Sequence, residues 1–142
     1  RDTTADRVWS LMEAGAAHIQ AIGPEKAMRD FAERGSRWQQ SGFRFSVIGA
    51  DGRILFDSED PRRVGTDIRV ARDTTGRAYG EELTRLVKEW GTSGVEYSAL
   101  DPVTGQIALR TTFATQTPRF DGMLVIETRT RGQTMASARS GG

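Results

Sequence analysis

A strand, a tight turn, a second strand and then a long polar segment lie between residues 43 and 76, and this stretch constrains the fold most. Apolar side chains alternate with polar ones over residues 43–47, which is the period of a half-buried strand. Asp51-Gly52 supplies the positive-φ turn of a hairpin whose second strand ends at Asp57. The next regular element begins only near Tyr79. Loops of this length often contribute to binding sites, so we expect one here.

The remaining chain predicts two helical regions and three more strands. Apolar residues at helical spacing predict a helix over residues 8–22, broken at Gly23-Pro24 and resumed over residues 25–33. A second amphipathic helix is predicted over residues 79–90, with Trp90 in the core and Gly91 at its end. Strands are predicted over residues 94–99, 107–115 and 122–128. This order indicates an α+β fold with one central antiparallel sheet.

Composition narrows the function classes. The 142 residues form one domain, and a net charge of 20 − 19 = +1 implies no polyanionic partner. Cysteine is absent, which excludes thiol catalysis, disulfides and cysteine-ligated metals. The longest apolar run, residues 123–126, is too short to span a bilayer. Because the sequence opens on Arg1 instead of Met, we interpret it as lacking a signal peptide or membrane anchor that once preceded it.

Several short segments occur together in a recognisable order. They are Phe45-Ser46-Val47, Asp51-Gly52, Ile54-Leu55-Phe56-Asp57, Val64-Gly65-Thr66-Asp67 and Asp73-Thr74-Thr75-Gly76-Arg77. In this order and spacing, the chain resembles the single Cache domain, an extracytoplasmic small-molecule sensor of bacterial chemoreceptors and sensor kinases. The resemblance covers roughly residues 16–127. Two positions depart from the family pattern: its strand tryptophan is missing near Gly94, and Asp57 stands where the family has histidine.

The resemblance implies a PAS-like antiparallel sheet with the long N-terminal helix on one face and the ligand pocket on the other, under the loop. It implies a sensor domain over residues 1–128 and a polar tail or linker over residues 129–142. It also implies a periplasmic or extracytoplasmic location, as part of an inner-membrane protein. Self-association no stronger than a weak homodimer, through the long helix, is expected.

Two strand residues are the leading ligand-binding candidates. Arg110 matches a family lysine, and a strand guanidinium facing a pocket clamps a carboxylate through two hydrogen bonds. A solvated surface arginine is about an equal alternative. Tyr97 matches a family tyrosine and offers a hydroxyl, although a buried tyrosine also serves in core packing. The two strands are joined by a tight turn, so both side chains are expected on one side of the sheet.

Further candidates surround this pair. Phe45, Val47 and Phe113 are expected to form the apolar floor of the pocket. Arg69 and Arg72 in the loop add positive charge at its mouth, although loop arginines are more often solvated. The other expected pocket residues are Tyr79 and Asp57. The acids Asp57, Glu59 and Asp60 have too few oxygen ligands for a Ca²⁺ loop and are interpreted as solvated.

The sequence therefore predicts a sensor of a small organic acid such as acetate, propionate or pyruvate, with no metal or other cofactor. Two alternatives remain open. One is an enzyme of low motif content that uses Asp57 with His18 or Tyr97, although no catalytic signature is present. The other is an interaction domain with a vestigial pocket. His18, the single histidine, is expected to be a half-buried helix residue.

Overall fold

The computed structural model describes the backbone of residues 4–134 and the side chains of residues 4–128. Two helices come first, α1 (Thr4–Ile22) and α2 (Pro24–Phe31), followed by strands β1 (Phe43–Gly49) and β2 (Ile54–Asp57). The long loop holds two single-turn 3-10 helices, Pro61–Arg63 and Ile68–Val70. The chain then forms α3 (Tyr79–Trp90), β3 (Thr92–Leu100), β4 (Ile107–Gln116) and β5 (Gly122–Thr134).

The five strands form one sheet in the order β2-β1-β5-β4-β3, and every neighbouring pair is antiparallel. The α+β prediction is confirmed. Gly23 has φ 89° between α1 and α2, and Gly91 has φ 81° in the left-handed turn that ends α3. Glycine reaches these angles without the steric cost that a Cβ atom imposes, so both helix ends lie where the sequence predicts them.

Each face of the sheet has its own apolar core. Helices α1 and α2 cover one face, and the buried side chains there are Val8, Leu11, Met12, Ile19, Ala27, Phe31, Trp38, Phe43, Phe45, Val47, Leu124 and Ile126. Helix α3 covers the other face with a smaller core of Ile48, Ile54, Leu83, Val87, Val95, Ala114, Met123 and Val125. Full burial of one such large side chain contributes about 1.5–3 kcal/mol, so the α1 side carries more of the stability. The smaller core leaves room beside α3 for polar groups.

Two local expectations are corrected. Trp90 is 71% exposed, because α3 packs through Leu83 and Val87 while the tryptophan lies in the terminal turn beyond them. Strand β5 runs past the predicted boundary at Thr128 to Thr134, and Ala108 on β4 pairs with Thr134. The rest of the predicted tail over residues 129–142, from residue 135 onward, lies outside the described residues. None of the helices between residues 4 and 134 has the length and apolar character needed to cross a bilayer.

Candidate functional site

Strand pairing brings five polar side chains together on the α3 face of the sheet. Tyr97 on β3 is the register partner of Arg110 on β4. Glu127 on the central strand β5 pairs with Arg44 on one side and with Thr112 on the other. Side chains on paired residues point to the same face of a sheet. The cluster therefore follows from the register of four strands.

Glu127 is the centre of this cluster and is buried. Its Oε2 atom accepts hydrogen bonds from Nη1 of Arg44 and from Nη1 of Arg110, each at 3.3 Å. Its Oε1 atom accepts a hydrogen bond from the hydroxyl of Tyr97 and a long one, 3.5 Å, from Thr112. Two guanidinium groups and a phenol thus converge on one carboxylate, which offsets the desolvation of the buried charges.

Arg44 and Arg63 extend the cluster towards the loop. The Nε atom of Arg44 donates to Glu59 at 3.2 Å and lies 3.9 Å from Asp57. Nη1 of Arg63 donates to Asp57 at 2.9 Å. With Arg110 and Glu127 included, the cluster holds three arginines and three acids, so its formal charges cancel.

The burial of Asp57 contradicts the prediction that the loop acids are solvated. Its side chain is fully buried and accepts hydrogen bonds from the hydroxyl of Ser46 at 3.1 Å and from the backbone N–H groups of Glu59 and Asp60, both at 2.9 Å. Those contacts, together with Arg63, fix the start of the loop to β1 and β2. Asp57 is therefore part of the cluster, but its oxygens are occupied by the protein.

The two tyrosines of the chain lie beside the cluster and are stacked, with ring centroids 3.8 Å apart and ring planes 2° apart. Burial raises the pKa of both Tyr97 and Tyr79 above the ordinary value, and the nearby negative charge of Glu127 raises both further. Burial alone would lower the pKa of Arg44, but Glu127, Asp57 and Glu59 outweigh it and the pKa of Arg44 is raised. The phenols are thus held as hydrogen-bond donors and the guanidinium as a cation.

Two neighbouring cavities adjoin the cluster. An outer pocket of about 400 Å³ opens to solvent and is lined by Arg72, Tyr79, Tyr97 and Arg110, among others. A more enclosed inner cavity of about 40 Å³ lies under α3 and is lined by Glu127 together with apolar side chains of the smaller core. Arg44 and Tyr79 border both cavities. Glu127 lines the inner cavity but not the outer pocket.

The Asp73 turn fixes the end of the long loop at the outer pocket. One carboxylate oxygen of Asp73 accepts hydrogen bonds from the backbone N–H groups of Thr75 and Arg77, and the other accepts one from the backbone of Ser98 on β3. The hydroxyl of Thr75 and these N–H groups hold the pKa of Asp73 well below its usual range. The turn therefore places Arg72, which lines the pocket, at its rim.

In the structure, three predicted pocket residues lie on the opposite face of the sheet from the pocket. Phe45, Val47 and Phe113 belong to the α1 core, where Phe45 packs against Phe31 at 4.8 Å between ring centroids and Phe113 against Trp9 at 5.7 Å. They cannot form the floor of a pocket that contains Arg110. Successive strand residues alternate between faces, and Phe113 is an odd number of residues from Arg110.

Arg69 also lies away from the pocket. Its guanidinium forms an ion pair with Asp67 at 2.8 Å and borders a separate surface groove along α3. The loop turns between Arg69 and Arg72, so that only Arg72 of the two predicted loop arginines lines the outer pocket.

His18 cannot pair with Asp57 as the enzyme alternative requires. Its Nε2 atom lies 2.6 Å from Oδ2 of Asp30, and its ring lies 5.4 Å from that of Trp38, on the α1 side of the sheet. Asp57 and the cluster lie on the α3 side. The histidine links α1 to α2, and its half-buried position agrees with the sequence interpretation.

No protein-family model and no curated protein matches the chain. Solved structures, in contrast, are similar to the chain. A methyl-accepting chemotaxis protein from Vibrio parahaemolyticus has 17% identity and a TM-score of 0.65, over 83% of this chain and 82% of that one. A periplasmic sensor domain of a chemotaxis protein has 22% identity and a TM-score of 0.61, over 89% of each chain. A Cache chemosensory domain described for carboxylic acid recognition has 17% identity and a TM-score of 0.64, over 89% of this chain and 98% of that one.

The chain has the Cache fold. The similarity spans most of each chain. In this Cache fold the arginine cluster lies on the face away from the long N-terminal helix, as the resemblance implies for the ligand pocket.

Sequence reasoning missed four members of the cluster, Arg44, Arg63, Thr112 and Glu127. Glu127 is two residues beyond Val125 and therefore on the same face of β5 as a buried valine. A charged residue at such a position was a usable signal for a buried site. Arg44 carried no comparable signal, because its alternation with phenylalanines is also the pattern of a solvated face.

Proposed function

We propose that this chain is the extracytoplasmic sensor domain of a bacterial membrane protein, and that it binds a small organic acid in the pocket on the α3 face. The observation that carries the proposal is the position of Arg110 beside Tyr97 in an open pocket. The Nε atom of Arg110 is buried and has no acceptor among the residues that the structure describes. A guanidinium with an unused donor next to a phenol is suited to a carboxylate.

Size and charge favour a short monocarboxylate such as acetate, propionate or pyruvate. The cluster of three arginines and three acids is formally neutral. Arg72 at the rim adds one positive charge, and no carboxylate partner for it lies within the described part of the chain. Asp73, which lines the same pocket, adds one negative charge, so the described charges around the pocket cancel and a monocarboxylate adds the least excess charge. The apolar side chains of the inner cavity, such as Ile48 and Leu83, suit a short alkyl group.

The similar structures support the same proposal. One of them is a Cache domain described for carboxylic acid recognition, and another is a periplasmic sensor domain of a chemotaxis protein. Transfer of that role to this chain places it on the outer side of the inner membrane, where ligand binding would be passed to a membrane helix. In this interpretation the domain has no catalytic step and uses no cofactor.

Binding is tested by thermal unfolding and titration calorimetry with acetate, propionate and pyruvate. A ligand that binds only the folded state stabilises it by RT ln(1 + [L]/Kd), which is about 2.7 kcal/mol at a hundredfold excess over Kd. Propionamide has nearly the same shape as propionate without its charge and is the matched control. We expect stabilisation by at least one carboxylate and none by the amide. If no acid binds, a vestigial pocket explains the domain better.

We further propose that the isolated domain self-associates no more strongly than a weak dimer, through α1. Sedimentation velocity over a range of concentrations tests this. A tetramer whose sedimentation coefficient does not depend on concentration would contradict it.

A further inference from the structure

We infer that Glu127 is a built-in competitor for the ligand's carboxylate, and that its carboxylate must leave the arginines before an acid can bind them with both guanidinium groups. This inference rests on the proposed function. It adds a residue that sets the affinity and selectivity of the same site.

Glu127 already makes the contacts that a bound carboxylate would need. One of its oxygens accepts from Arg44 and Arg110, and the other from Tyr97. Arg44, Arg110 and Tyr97 also line the outer pocket. A small acid entering that pocket therefore meets donors that are turned towards a carboxylate of the protein itself.

The other acids of the cluster do not have this role. Glu59 contacts Arg44 at its Nε atom. Asp57 is engaged by Arg63, Ser46 and backbone N–H groups of the loop. Glu127 alone of the three joins both pocket arginines to the phenol, within the part of the chain that the structure describes.

A competitor on the same chain lowers affinity without blocking binding. The observed dissociation constant equals the intrinsic one divided by the fraction of molecules whose site is free, so a competitor bound about nine-tenths of the time weakens binding about tenfold. A neutral ligand has no charge with which to displace it. Glu127 would thereby restrict the site to anions and raise the ligand concentration at which the site becomes occupied.

The test is Glu127→Gln, which keeps the shape of the side chain and removes its charge. Calorimetry with propionate is expected to show affinity about tenfold tighter than wild type for a Glu127 that occupies the arginines about nine-tenths of the time. The matched control is Glu59→Gln, which removes another acid from Arg44 but leaves Glu127 in place, and is expected to change affinity less than about threefold because it frees only one arginine.

Chemical rescue provides a second measurement. Glu127→Ala removes the carboxylate and leaves two arginines without it, so the ligand-free variant should unfold at a lower temperature than wild type. Saturating propionate should raise its melting temperature by more than it raises that of wild type. An equal or smaller rise would contradict the inference.

A third measurement needs no variant. In wild-type protein with ¹³C-labelled glutamate, the side-chain carboxyl resonance of Glu127 is followed during titration with propionate. A shift that saturates together with binding, with no equal change at Glu59, is expected if the ligand displaces Glu127.

The outcomes separate the inference from the proposed function. If wild type binds propionate but Glu127→Gln binds it equally or more weakly, Glu127 is not a competitor, and the sensor proposal stands. If the Glu127 resonance does not move while propionate binds, the inference fails in the same way. If no carboxylate binds either protein, both proposals fail.

Discussion

Tyr79, the first residue of α3, lies face to face with Tyr97 in the middle of β3, with ring centroids 3.8 Å apart. The stack attaches the start of the helix that covers the pocket to the strand that carries the phenol bonded to Glu127. A displacement of Tyr97 at the pocket would therefore act directly on the start of α3 through this stack.

Replacement of Arg110 should weaken carboxylate binding. A charge-assisted hydrogen bond contributes about 1.5–3 kcal/mol, so Arg110→Ala is expected to raise the dissociation constant of propionate about one to two orders of magnitude. Arg110→Lys should have a smaller effect, because the charge survives while the planar fork is lost. Arg69→Ala is the matched control, since Arg69 pairs with Asp67 outside the pocket. Calorimetry that shows equal losses for Arg69→Ala and Arg110→Ala would contradict the assignment.

Both tyrosines should resist ionisation while the domain is folded. Their pKa values are raised above the ordinary 10.0, mainly by burial. Below that pH the phenols are protonated in both states and their full stabilising contribution is present. Above it only the unfolded chain loses protons, so stability falls as the pH rises towards the folded pKa values. Absorbance at 295 nm should show tyrosinate near pH 10 in urea but not in the folded protein. A midpoint of tyrosine ionisation near pH 10 in the folded protein would contradict this prediction.

Phe45 should matter for stability and not for ligand binding. The ring is fully buried among Phe31, Trp38 and Phe56, and the space beside Gly15 is so tight that a Cβ there would lie 2.9 Å from it. Phe45→Leu is expected to cost about 1–2 kcal/mol in urea unfolding through lost packing. The propionate affinity should stay within error of wild type. A large loss of affinity with little loss of stability would instead indicate that Phe45 lines the pocket.

Gly80 should be intolerant of any side chain. A Cβ at this position would lie 2.0 Å from the backbone oxygen of Ile68, so α3 or the 3-10 turn at Ile68–Val70 must move. Gly80→Ala is expected to destabilise the domain by about 1–3 kcal/mol, as overpacking does, and to weaken propionate binding at the same time. Glu81→Ala changes the next residue, which is exposed, and should have little effect. Equal melting temperatures for the two variants would contradict this packing.

Much of the architecture could be predicted from local pattern. Helix α3 begins at Tyr79 and ends before Gly91 as the spacing of its apolar residues indicated. The hairpin at Asp51-Gly52 and the break at Gly23-Pro24 also lie where turn chemistry placed them. These features depend on residues close in sequence, such as glycines that accept positive φ, so the sequence alone specifies them. The antiparallel pairing of β3 with β4 followed from a short connection in the same way.

One error was avoidable from the sequence. Arg110 and Phe113 are three residues apart in a strand, so they face opposite sides, and the sequence interpretation nevertheless placed both in one pocket. In the structure Phe113 contacts Trp9 of α1, while Arg110 lies on the α3 side beside Tyr97.

Only the tertiary structure decided which charged residues meet. Arg44 and Glu127 are 83 positions apart, and they become partners because β5 lies between β1 and β4. That strand order depends on long-range pairing, which no local pattern records. Helices cover both faces of the sheet, so alternation alone could not separate a solvated arginine from a buried one. The sequence determined that a sheet would form with a long loop suited to a binding site. Packing on the α3 face of that sheet determined that Glu127 would bind the arginines there.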